Sequence, residues 1–229
     1  MMKIIITGTS RGIGNSIANY LSNKHEVIGL SRSKNKTSNN FKTFQCDVSN
    51  YLNIKSVFSK VKKFDVLINS AGISYYSINK IKNFDQIIKT NLCGPFYASL
   101  AAMNFLKKSS NPSIINISSI NAYLAFPNNP GYVTSKGGLI SLTRSLANDF
   151  GKFKIRVNSI SPGYIKKGMT LKSYTNLKKR KKRIERTMLE RWGKVDDLYG
   201  IIDYLISNKS KYVTSQDFVI DGGWTFKGL

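Results

Sequence analysis

The sequence predicts an α/β fold: one domain over residues 1–229, built on a mostly parallel, doubly wound seven-stranded sheet with helices on both faces. Three observations carry this expectation. Short β-branched apolar runs alternate with longer helix-patterned stretches. The runs are apolar throughout, as in strands covered on both sides rather than one. A chain of 229 residues with 41% hydrophobic content can bury one sizeable core.

In chain order, "KIIIT" (3–7) reads as the first strand and is followed by glycines and a helix at 13–22. "EVIGL" (26–30) and "FKTFQC" (41–46) are the second and third strands, with a helix near 52–62 after them. "DVLIN" (65–69) is the fourth strand, and the spacing then predicts one long helix over 83–108. "SIINIS" (113–118), a helix at 132–150 and "IRVNSI" (155–160) follow. A helix near 196–207 precedes the last strand, "DFVI" (217–220).

"TGTSRGIG" (7–14) joins the first strand to the first helix. Gly8, Gly12 and Gly14 let the backbone turn tightly and approach a ligand, while the helix start offers N–H groups and a positive dipole end to a pyrophosphate. Strand before and helix after favour a dinucleotide site over an ordinary tight turn. Folds that bind NAD usually carry an acid about 20 residues on, holding the ribose 2′-hydroxyl. Here the second strand ends in "LSRS" (30–33), with Ser31 where the acid would stand, Arg32 next and Arg11 in the glycine loop. Two guanidiniums and no carboxylate suit a 2′-phosphate, so NADP(H) is the expected cofactor.

"YVTSK" (132–136) opens a helix and sets Tyr132 and Lys136 on one face. A free tyrosine, with a pKa of about 10, is a poor acid–base catalyst at neutral pH. A nearby ammonium favours the phenolate and lowers that value. Such a pair alone is usually a solvated helix face, but "ISS" (117–119) places Ser119 thirteen residues upstream, "NSAG" (69–72) ends the fourth strand, and "TNLCGPF" (90–96) lies in the next helix.

With the G-x-x-x-G-x-G loop, these motifs resemble the short-chain dehydrogenase/reductase family in order and spacing, from residue 3 to the "DGG" at 221–223. The resemblance implies a Rossmann-like domain, and a general similarity to 3-oxoacyl-acyl-carrier-protein reductases. It also implies roles. Tyr132 would be the general acid for a carbonyl oxygen, Lys136 would hold the cofactor ribose and tune Tyr132, Ser119 would bond the substrate oxygen, and Asn91 would hold a water leading from Lys136 to solvent. Gly8, Ser10, Arg11, Gly12, Ile13 and Gly14 would cradle the cofactor, Ser31 and Arg32 would read its ribose, and Asp47 and Val48 would border the adenine. Asn69, Ala71 and Gly72 would line the cofactor floor, with Pro162, Gly163 and Ile165 beside the nicotinamide. In "PGYIKKGMT" (162–170), Lys167 stands where the family often has Thr. Lysine donates hydrogen bonds but accepts none, so it would lean to the pyrophosphate instead.

The net charge is +24, with only three glutamates (Glu26, Glu185 and Glu190). Residues 166–194 hold twelve bases against two acids, in the segment that the resemblance makes the substrate lid (about 164–194). Repulsion between close like charges predicts a loosely ordered lid that recruits an anionic substrate or acidic carrier. A solvated basic face is the plainer reading, and nucleic-acid binding, possible electrostatically, lacks an accompanying motif. Tyr75, Tyr76, Tyr123, Phe126 and Tyr164 are either pocket walls or core. Reduction of a sugar or polyketide-like intermediate is the alternative enzyme reading, and a nucleotide-sensing protein with a relict site the non-enzyme one. Two cysteines, Cys46 and Cys93, make no disulfide framework, and one histidine with them makes no standard zinc site. No apolar run nears the roughly 18 residues of a membrane helix, so a cytoplasmic soluble enzyme without metal is expected. Apolar and small residues in "FYASLAAM" and "GGLISLTRSLA" predict a homotetramer, with a dimer as second choice.

Overall fold

The computed structural model describes residues 1–33, 40–75 and 80–227; Tyr76 lies outside them. Seven strands, β1 (Lys3–Thr7), β2 (Glu26–Ser31), β3 (Lys42–Gln45), β4 (Val66–Asn69), β5 (Ser113–Ile117), β6 (Arg156–Pro162) and β7 (Asp217–Ile220), form one sheet in the order β3-β2-β1-β4-β5-β6-β7. All six pairings are parallel. The winding direction changes between β1 and β4, where Thr7 pairs with both Leu30 and Asn69. Ligands of such sheets bind beyond the carboxyl ends of the strands at this switch.

Alternation along each strand divides the core. Ile5, Leu67, Ile114 and Val157 face one hydrophobic layer with α2 (Tyr51–Val61), α4 (Gly94–Leu106) and α5 (Pro130–Gly151). Ile4, Ile6, Ile68, Ile115 and Ile160 face the other, with α1 (Gly12–Ser22) and α8 (Tyr199–Ile206). Both faces being dry explains why the strands read as unbroken apolar runs. No helix among the described residues is long and apolar enough to cross a membrane.

Two predicted elements differ. The single helix over 83–108 is α3 (Ile81–Ile88), a π-helical turn (Lys89–Cys93) and then α4. Pro95 has no N–H for the carbonyl of Asn91 and crowds it, which accounts for the wider turn there. The basic segment is helical rather than loosely ordered: a 3-10 turn (Gly168–Thr170) leads into α6 (Leu171–Thr175) and α7 (Leu177–Glu185). Asn176 accepts a hydrogen bond from Lys179 N at 2.9 Å and caps α7. Its arginines Arg180 and Arg183, with Arg186 at its end, lie over aromatic rings, a force that counting charges along the sequence leaves out.

Candidate active site

The glycine turn meets the end of β4. Gly8 has φ +77, and a Cβ there would sit 2.6 Å from Ala71 Cα; one on Gly14 would lie 2.6 Å from the Gly8 carbonyl. Any side chain would therefore push the turn off the sheet. Ser70 N and Ala71 N both donate to Thr7 Oγ1, at 3.0 and 3.1 Å, which locks the two loops side by side. Gly12, at φ +70, has only Gly168 within 4 Å of its missing side chain. The first turn of α1 has no side-chain cap and no acid. An open turn, uncapped helical amides and exposed Ser10 and Arg11 fit a pyrophosphate, and Ile13 continues the helix behind them.

At the end of β2, Ser31 is buried and its hydroxyl donates to the Ser33 carbonyl at 2.5 Å, while Arg32 is exposed. Asp47 accepts from Ser49 N and Oγ, at 2.9 and 2.8 Å. Val48 is buried against Gly94. Asn69 does not line the floor with its side chain. Its amide turns into the sheet, donating to Asn116 Oδ1 at 2.9 Å, and Asn116 donates on to Thr143 at 2.9 Å. Asn69 thus braces the floor that Ala71 and Gly72 form.

The catalytic candidates converge beside Gly72. A Cβ there would lie 3.5 Å from Asn91 Oδ1 and 3.9 Å from Lys136 Nζ. Asn91, fully buried in the π-helical turn, accepts from Ile73 N and donates to Ile73 O, both at 2.9 Å. Its amide therefore clamps the β4 loop, and its main-chain carbonyl is the one Pro95 frees from the helical ladder. Lys136 Nζ donates to Ile117 O at 2.7 Å and lies 5.6 Å from the Tyr132 ring centre. Burial pushes the Lys136 pKa down to about 8. Ser119 Oγ donates to Asn121 Oδ1 and accepts from Asn121 N, each at 3.2 Å. That partner escaped the sequence reading, as did Ser135, whose hydroxyl accepts from Asn91 Nδ2 at 3.2 Å.

On the substrate side, Pro162 ends β6 and Gly163 packs so closely that a Cβ would meet Asp221 at 2.6 Å. Ile165 is buried and pairs with Gly193, joining the two ends of the basic segment. Lys167 is exposed, next to Gly168, whose added Cβ would stand 3.1 Å from Gly12 Cα. The basic segment thus springs from directly beside the glycine turn.

A family profile described as enoyl-(acyl carrier protein) reductase matches residues 8–225. The 3-oxoacyl-[acyl-carrier-protein] reductase of Rickettsia felis is 32% identical over 230 residues, covering 96% of this chain and 95% of that protein. The Staphylococcus aureus enzyme of the same name is also 32% identical, over 96% of both chains. The chain belongs to the short-chain dehydrogenase/reductase family. Among solved structures, a 4-hydroxyisoleucine dehydrogenase complexed with NADH is 34% identical, with TM-score 0.92 and full coverage of both chains. Thermoplasma acidophilum aldohexose dehydrogenase is 30% identical with TM-score 0.92, covering 99% of this chain and 95% of that one. As a short-chain dehydrogenase/reductase, the protein is an oxidoreductase of CH–OH and C=O groups that uses a nicotinamide cofactor.

The aromatic candidates divide. Tyr75 lines a cavity of about 230 Å3 with Phe84, Pro130 and Gly131, at the start of α5. Tyr123 is a tie: its hydroxyl donates to Asp217 at 2.6 Å, which raises its pKa through burial and that bond. Phe126 stacks on Trp224 at 5.9 Å, and Tyr164 meets Trp192 and Trp224 edge-on, each at 5.3 Å. The two tryptophans were not singled out from sequence, although Trp192 sits at the end of the basic run and Trp224 directly after "DGG".

Proposed function

We propose that this enzyme interconverts a ketone and a secondary alcohol with NADPH, its substrate being a 3-oxoacyl thioester or a similar anionic or carrier-bound carbonyl compound. The observation that carries the reading is the meeting of Asn91, Lys136 and Gly72 beside an uncapped helix start, with Tyr132 one helical turn from Lys136. When bound, the nicotinamide cofactor supplies the hydride. Tyr132 gives its proton to the carbonyl oxygen, and Ser119 shifts its hydroxyl from Asn121 to that oxygen. Lys136 favours the phenolate that remains, and the freed carbonyl of Asn91 holds the water that returns a proton. Lys167 sets its charge against the pyrophosphate. A soluble, cytoplasmic setting and a lid at 164–194 of a single domain belong to the same reading.

Arg11 and exposed Arg32, with no carboxylate at the end of β2, support NADPH over NADH. The name of the Rickettsia felis relative supports the acyl thioester. The dehydrogenases of an aldohexose and of 4-hydroxyisoleucine support a small polar alcohol as second reading. Phe96 and Leu100, 39% and 40% exposed on α4, support a homotetramer, or else a dimer; a monomer mass by light scattering would contradict this. Dissociation constants for NADPH and NADH test the cofactor: NADPH is expected to bind more tightly, and equal values would overturn that choice. A panel of ketones assayed with NADPH tests the reaction.

A further inference from the structure

The bases of the lid are not one population. Arg180, Arg183 and Arg186 recur every three residues along α7 and its end, and each lies over a ring: Arg180 over Tyr174 at 5.3 Å, Arg183 over Tyr164 at 4.5 Å, and Arg186 over Trp224 at 4.6 Å. Lys178, Lys179, Lys181 and Lys182, between them, are exposed. In a chain where lysine greatly outnumbers arginine, arginine occupies all three ring-facing positions of α7 and its end, while Lys166, before α6, also lies over Tyr174, at 4.3 Å. A guanidinium stacked by its face keeps its in-plane N–H groups directed outward from the ring edge, and an ammonium cannot do this.

The rings under Arg183 and Arg186 belong to the reaction side of the molecule. Tyr164 directly follows Pro162 and Gly163 at the carboxyl end of β6, and Trp224 follows β7. Tyr164 and Trp224 meet at 5.3 Å, and Phe126, from the segment between Ser119 and Tyr132, stacks on Trp224. Neither arginine makes an ion pair among the described residues; the lid's one ion pair is Arg191 with Asp197. Arg183 Nη1 donates to Lys179 O at 3.2 Å, but Arg183 Nε is buried with no hydrogen-bond partner. Buried donors are rarely left so, which marks a place where a ligand completes the set.

We propose that Arg183 and Arg186 form an oxyanion subsite on the wall made by Tyr164, Trp224 and Phe126, holding a carboxylate or phosphate of the substrate while the carbonyl faces Tyr132. This rests on the carbonyl-reductase reading. The exposed lysines take no part in that contact. Flat, bidentate donors recognise either oxyanion by the same chemistry.

The test uses the full chain with NADPH and two matched pairs of ketones: acetoacetate against its methyl ester, and dihydroxyacetone phosphate against dihydroxyacetone. The wild type is expected to favour the charged member of at least one pair by about tenfold or more in kcat/KM, the scale of one charge-assisted contact; the favoured pair says which oxyanion is bound. Arg183→Gln, Arg186→Gln and Arg183→Lys should each bring that ratio towards one, the last while keeping the charge. Lys179→Gln with Lys182→Gln should leave it unchanged. Equal use of charged and neutral members by the wild type would overturn the subsite, as would loss of the preference in the lysine variant but not in the arginine ones. If no ketone is reduced, the carbonyl-reductase reading is what fails. The subsite is then judged by binding: inorganic phosphate should raise the Tm of the wild-type NADPH complex and not that of Arg183→Gln, and no rise in the wild type would remove it.

Discussion

The strand ends and the basic segment at 164–194 are held in place by different forces. At the strand ends the reacting side chains are tied to backbone or to each other: Lys136 to Ile117 O, Asn91 to both polar atoms of the Ile73 main chain, and Ser119 to Asn121. The Lys136 and Asn91 bonds are short and directional, and all three side chains are buried. The lid hangs mainly on rings, Tyr164, Tyr174, Trp192 and Trp224, with guanidiniums laid over them. Such contacts tolerate sliding and weaken little with small displacement. On the proposed reading, the first region holds a proton donor in one geometry and the second closes on the substrate.

If this division is right, changes in the two regions should fail in different assays. The largest effect belongs to Tyr132→Phe, which removes the proton donor and little surface. Turnover should drop about 10²–10⁴-fold, with the NADPH dissociation constant nearly unchanged; activity within a few-fold of wild type would take Tyr132 out of that role. Trp192→Ala should act on the lid instead. Losing the ring between Tyr164 and Tyr174, and the bond from Trp192 Nε1 to Arg180 O at 3.3 Å, should raise KM for substrate by roughly tenfold, with cofactor affinity kept. Equal losses of both affinities would erase the distinction between the regions. Arg32→Asp should lower the NADPH-to-NADH affinity ratio by about tenfold, read by titration with each dinucleotide.

A further effect concerns stability rather than activity. The folded pKa of Lys136, about 8, lies below its ordinary 10.5 because burial disfavours the charge. Below about pH 8 both folded and unfolded chains hold the proton, and the burial cost is fully present. Between about 8 and 10.5 the unfolded chain binds more protons, so stability rises with pH. Lys136→Met should remove this rise, amounting to roughly 3 kcal/mol across the window. Urea unfolding of both proteins at several pH values would show it, and parallel curves would contradict it.

The same contrast explains what was legible in the sequence. Seven strands and the glycine turn follow from period and punctuation, which are local properties; the set Ser119, Tyr132 and Lys136 was legible through the resemblance of its motifs to the family. The π-helical turn was readable only from Pro95, because a proline near a helix start is usually harmless and its effect depends on the carbonyl four residues earlier. Asn69 was placed on the floor because it ends β4; its amide turns sideways to Asn116, on a strand 47 residues away. The lid was misread most. Charge along the sequence predicted loose order, while three arginines at helical spacing, with Tyr174, Tyr164 and Trp224 as their seats, carried the signal that it folds. The partners of Arg183 and Arg186, Tyr164 and Trp224, come from the ends of β6 and β7, which only the sheet brings together.

The most direct measurement follows the hydride itself. The purified chain would be incubated with NADPH deuterated at the transferable position of the nicotinamide and with an acetoacetyl thioester beside the four small ketones, and the products weighed by mass spectrometry. The account predicts one deuterium on the new carbinol carbon of at least one substrate, and none when Tyr132→Phe is used under the same conditions. Unlabelled substrates recovered intact from the whole panel, with NADPH bound but unconsumed, would contradict it.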